Sequence, residues 1–154
     1  MKKKEKIFSF INTSIYYLLI FLFTYAGISK LMDHNNFETT LRQSPVIGSM
    51  SAILSWLIPL AVLFTVFLLM VNKYKYAGYL FSLILMAVFT AYIAYMILFI
   101  PYLPCSCGGI LSGLTWGNHL VFNIILMLLI LISLLSISGH KLFIAINRIS
   151  RKPV

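Results

Sequence analysis

Read for hydropathy, the chain falls into four long apolar runs separated by short polar stretches, at residues 7–32, 47–71, 76–100 and a fourth that starts near Thr115 or Asn118 and runs to 138. Each approaches or exceeds the ~20 residues an α-helix needs to cross a hydrocarbon core about 30 Å thick. The pattern predicts four membrane-spanning helices. The first run follows Met1, three lysines, Glu5 and Lys6, an opening that resembles a signal peptide. Its apolar stretch continues well past a signal h-region, and no small-x-small cleavage site follows, so it is expected to stay as the first membrane helix. The second run carries Pro59 midway, a kink that a bilayer helix tolerates when neighbouring groups satisfy the freed carbonyl. The third ends against Pro101. Gly139 is expected to stop the fourth. Gly27 and Gly78 are expected where helices approach closely.

Two polar stretches have some pattern of their own. In residues 33–45, Phe37 and Leu41 stand four apart among polar neighbours, which fits a short interfacial helix as well as a solvated connector. As a helix, it would lie on the same outer face as the connection between the third and fourth helices and roof it. Residues 141–148 are basic and amphipathic and are expected to rest on the inner leaflet. No repeat or low-complexity segment breaks the chain, so residues 1–154 read as one domain.

Composition settles the class. The chain is 61% hydrophobic and only 10% charged, far from the average of soluble proteins. The net charge of +9 does not point to nucleic acid, because the basic residues flank the apolar runs and act as topology signals. Lys2, Lys3, Lys4, Lys6, Lys73, Lys75, Lys141, Arg148, Arg151 and Lys152 fall on one side, leaving Lys30 and Arg42 for the other. The expected fold is therefore all-α: a polytopic four-transmembrane-helix bundle with both termini cytoplasmic. The connection between the third and fourth helices then faces the exterior, where disulfides form and persist.

That connection holds both cysteines of the chain, Cys105 and Cys107, between Pro104 and Gly108-Gly109. A disulfide between residues two apart closes a tight ring that departs from relaxed geometry. It would restrain almost nothing as a staple, and strained, exposed disulfides tend to be labile or catalytic. Redox exchange is one reading. A soft-metal site for copper or zinc with His119 is another, and a non-catalytic assembly subunit with incidental cysteines is a third. Gly108, Gly109 and Gly113 let the backbone turn sharply. The fourth helix starts just beyond, and its N-terminal end favours a thiolate. His119 stands in its first turns, placed to pass a proton, to bond a quinone carbonyl, or simply to satisfy loop carbonyls. Asn123 shares its face four residues on. Trp116 reads as an interfacial anchor. Lys30, beside Asp33 and His34, can pair with one of them or snorkel to the interface.

Cys-x-Cys-Gly-Gly followed by Trp-x-x-His, together with Tyr25-Ala-Gly-Ile-Ser-Lys-Leu31 closing the first helix, resembles the methylamine utilisation protein E family within the wider DoxX-like membrane proteins. The resemblance covers nearly the whole chain. It implies a redox-associated protein of the bacterial inner membrane that helps mature disulfide-bearing periplasmic proteins, with a periplasmic thioredoxin-like partner. Cys105, Cys107 and His119 are then the expected catalytic residues. The electron acceptor has no signature in the sequence. Quinone, often used by four-helix membrane thiol oxidoreductases, is one candidate, and the second internal cysteine pair usual in a complete relay of that kind is absent.

Overall fold

The computed structural model describes residues 2–100 and 115–150, with side chains over 10–100 and 115–136. It contains five α-helices: α1 Lys2–Met32, α2 His34–Arg42, α3 Ser51–Met70, α4 Lys75–Phe99 and α5 Trp116–Ser150. A 3-10 turn, Gly48–Met50, leads into α3. There is no strand among the described residues. Four helices are long and apolar enough to cross a membrane, over Phe10–Met32, Gly48–Met70, Lys75–Phe99 and Trp116–Ser136. Within a bilayer the backbone must satisfy its own polar groups, and a helix does so residue by residue.

The four spans pack in the order α1–α3–α4–α5, and a thinner seam between α1 and α5 closes the ring. Leu19 of α1, Leu69 of α3, Tyr79 and Met96 of α4 and Ile130 of α5 are fully buried between them. Phe21, Phe64, Phe67, Leu98 and Leu135 point outward. An apolar exterior is what contact with lipid tails requires.

Two glycines set the helix spacing. A Cβ at Gly78 would lie 2.8 Å from the Leu69 backbone N and 3.0 Å from the Leu68 carbonyl carbon, so α4 rests on the α3 backbone there. A Cβ at Gly27 would lie 2.7 Å from Leu63 Cγ and 3.4 Å from the Pro59 carbonyl oxygen. The α1–α3 crossing thus falls beside the proline turn. Pro59 itself is buried inside a helix that continues past it to Met70.

Polar side chains inside the bundle find partners nearby, as burial demands. The hydroxyls of Thr65 and Ser82 donate to the Ala61 and Gly78 carbonyls, each at 2.8 Å. Asn12 Nδ2 donates to Ser136 Oγ at 2.9 Å, and Ser133 Oγ donates to Asn12 Oδ1 at 3.4 Å. These two bonds pin α1 to α5 at one end of their seam. At the same end Lys75 Nζ sits 3.8 Å from the centroid of the Tyr16 ring.

One boundary differs from expectation. Gly139 does not end the last helix, which runs on to Ser150. A mid-helix glycine costs only about 1 kcal/mol relative to alanine. The sequence that follows, Lys141-Leu-Phe-Ile-Ala-Ile-Asn-Arg, holds no proline and keeps a helical apolar period, so the helix propagates through. At ~1.5 Å per residue, the eleven residues from His140 to Ser150 carry α5 roughly 17 Å past the expected stop.

Candidate functional site

The end of the bundle opposite the Asn12 pin is closed by α2. Phe37 and Leu41, one turn apart on its lower face, are both buried. The stretch 33–45 is therefore a packed amphipathic helix, the first of its two expected forms. His34 opens α2 with its ring 4.3 Å from that of Trp56 on α3. Its Nε2 is buried and has no hydrogen-bond partner among the described residues. On the exposed face Arg42 and Glu38 form an i,i+4 ion pair at 2.6 Å, a contact worth only about 0.3–0.5 kcal/mol at a surface.

The chain leaves α2 through a tight return. The Gly48 amide donates to the Ser44 carbonyl at 3.0 Å. A Cβ at Gly48 would come within 2.6 Å of the Arg42 carbonyl oxygen. Ser44 is buried, and its Oγ accepts a hydrogen bond from Tyr92 Oη at 3.0 Å. That bond ties the far end of α4 to the loop after α2.

The α5 start is capped. Thr115 Oγ1 accepts from the Asn118 amide at 3.3 Å, and the Thr115 carbonyl accepts the His119 amide at 3.0 Å. A Thr cap of this kind contributes about 1 kcal/mol, and it marks which of the two expected starting points the helix takes. His119 is half-buried one turn in. Asn123, four residues later on the same face, is only 5% exposed. No hydrogen bond joins its carboxamide to another described residue.

Lys30 connects these parts. Its Nζ lies over the Phe37 ring, 4.9 Å from the centroid, at the same end of the bundle as the start of α5. The nearby Asp33 accepts from Asn36 Nδ2 at 2.7 Å. Lys30 of α1, Phe37 of α2 and His119 of α5 thus gather at one end of the bundle, and that convergence was not predicted. Nor were the His34–Trp56 stack and the Tyr92–Ser44 bond. Each joins residues from different helices, and periodicity within one helix carries no signal for such pairs.

Cys105 and Cys107 lie outside the described residues, in the connection between Ile100 and Thr115. The thiol pair and the Cys105–Cys107–His119 metal arrangement are therefore expectations of the sequence alone. Among the described residues no group of three His, Cys, Asp or Glu side chains is placed to hold a metal ion.

A family model described as methylamine utilisation protein MauE matches residues 6–136. The chain belongs to the MauE family. The match takes in all four spans, and α5 runs on past its end to Ser150. No curated protein and no solved structure matches the chain. With four membrane-capable helices, this MauE family member is a multi-pass membrane protein.

Proposed function

We propose that the protein is a thiol-disulfide exchanger of the cytoplasmic membrane, acting through Cys105 and Cys107 on its outer face in the maturation of disulfide-bearing periplasmic proteins of methylamine utilisation. The observation that carries the proposal is the placement of Lys30, Phe37 and the start of α5, with His119, at the end of the bundle where the Cys-x-Cys connection joins. The family's description supplies the pathway.

In the exchange, a thiolate of a thioredoxin-like partner attacks Cys105 Sγ of the Cys105–Cys107 disulfide. The S–S bond breaks and Cys107 leaves as a thiolate. The partner's second thiol then displaces Cys105. The partner ends as a disulfide and the Cys-x-Cys pair as a dithiol, so two electrons and two protons have moved onto this chain. The N-terminal end of α5 stabilises the leaving sulfur, and His119 carries its proton. The basic asymmetry of the sequence supports an outer position for this end of the bundle, with both termini in the cytoplasm.

Alkylation of intact cells with a membrane-impermeant maleimide, before and after reduction, tests the state and sidedness of the pair. Labelling of both cysteines only after reduction is the expected result. Labelling without reduction, or none from outside after it, would remove the proposed exchange.

A further inference from the structure

The outward face of α1 differs from those of the other spans. The exposed positions of α3, and those of α5 from Trp116 to Ser136, carry no hydroxyl. On α4 they carry one only at Tyr76 and Tyr95, within about one turn of its ends. On α1, Ser14, Tyr17, Phe21, Tyr25, Ile28 and Met32 are all exposed. They follow one another at steps of three or four residues, which sets them in one line along the span. Tyr17 is 64% and Tyr25 37% exposed, and neither hydroxyl bonds to another described residue. Tyr25 stands seven residues short of Met32, about 10 Å along the axis at ~1.5 Å per residue. Helix side chains lean toward the N-terminal end, so the Tyr25 hydroxyl is carried toward mid-span, away from the nearer water. A hydroxyl in hydrocarbon without a hydrogen bond is costly, and in membranes such groups bond across helix contacts.

We infer that this line is a homodimer contact, along which α1 packs against α1 of a second copy. Copies of one chain share the orientation set by their basic flanks. Two of them are then related by a twofold axis along the membrane normal, and their α1 helices run parallel. On such an axis each residue of the contact faces its own counterpart. The line must therefore complement itself. A tyrosine hydroxyl, at once donor and acceptor, meets that condition, and so does a serine hydroxyl. The line holds no charge and no group that only donates or only accepts, so nothing in it calls for a partner of different chemistry. Its straight course suits two helices crossing at a small angle, ~20° in most membrane bundles. Phe21, 62% exposed between the two tyrosines, fills the centre of the contact. Gly27 takes no part, because its face of α1 is already occupied by Leu63 of α3. This contact stands apart from the thiol exchange proposed above.

The test uses the full chain in its own membranes, with Cys105→Ser/Cys107→Ser as the background for single cysteines. Phe21→Cys and Ile28→Cys lie on the line, while Leu60→Cys and Leu128→Cys lie on the exposed faces of α3 and α5. Under mild copper-phenanthroline oxidation, the first two are expected to give a disulfide-linked product of twice the chain mass, at least tenfold more than the last two. The second measurement is energy transfer between donor- and acceptor-labelled copies of the full chain in lipid vesicles, followed as lipid is added. Tyr25→Phe keeps the ring and removes the hydroxyl. It is expected to weaken association about threefold, the change that losing one interhelical hydrogen bond of about 0.6 kcal/mol produces. Leu128→Ala is expected to associate as wild type does. Cross-linking at Leu60→Cys or Leu128→Cys equal to that at Phe21→Cys overturns the contact, as does a product of any other mass. So does energy transfer no greater than random mixing in the lipid. Association of Tyr25→Phe as tight as that of wild type overturns the role given to the hydroxyls, and with it the inference.

Discussion

At the scale of single residues, the two interface glycines make unequal predictions. Any Cβ at Gly78 meets the α3 backbone at Leu68 and Leu69, and backbone can yield only if the helices separate. At Gly27 the nearest atoms belong to the Leu63 side chain, which can change rotamer. Gly78→Ala is therefore expected to destabilise by roughly 1–3 kcal/mol, the usual range for overpacking, and Gly27→Ala by less. Thermal unfolding in one detergent ranks them, and equal midpoints would contradict the packing described. His34 makes a prediction of opposite sign. Its ring stacks on Trp56 while its Nε2 is buried without a described partner. His34→Phe keeps the stack and removes the orphaned group, so stability should hold or rise, by about 1–3 kcal/mol at most. A marked loss would mean that Nε2 is satisfied by something beyond the described residues. Both interface glycines were legible in the sequence, since small residues in apolar runs mark close helix approach. Gly48 was not, because its constraint is the Arg42 carbonyl, brought near only by the return of the chain after α2.

At the scale of elements, α2 is the part most dependent on a few contacts. Phe37 and Leu41 anchor it below, and Lys30 sits on the Phe37 ring. Phe37→Ala removes the larger anchor and the cation–π contact together. The expected outcome is local: amides of α2 exchange faster while those of α3 and α4 keep their protection. Hydrogen exchange resolved by peptide checks this, and a uniform loss across the spans would contradict α2 as a separate roof. The spacing of Phe37 and Leu41 allowed this helix to be foreseen, but not its contacts with Lys30 and Trp56. The end of α5 shows the opposite error. Gly139 looked like a stop because glycine so often follows a helix, yet nothing after it favours a turn, and the next apolar positions keep helical phase to Ser150.

At the scale of the whole molecule, four spans and an all-helical bundle were readable from run length alone, because a bilayer leaves the backbone few alternatives. The gathering of Lys30, Phe37 and His119 was not readable, since it depends on how four helices are arranged around one another. Ten of the twelve basic residues flank the spans on one side in the sequence, leaving Lys30 and Arg42 for the other, so a reporter fused after Val154 should register a cytoplasmic C-terminus. A periplasmic signal would invert the topology and place Cys105 and Cys107 in a reducing compartment. The central claim is that these cysteines exchange with a partner's thiols, and trapping tests it most directly. Single Cys→Ser variants, expressed with periplasmic thioredoxin-like proteins of the host, are run on a non-reducing gel. Cys107→Ser leaves Cys105 without its resolving sulfur and should accumulate a DTT-sensitive mixed disulfide that Cys105→Ser does not form. No adduct from either variant, with both thiols of the wild-type protein found reduced, would contradict the account.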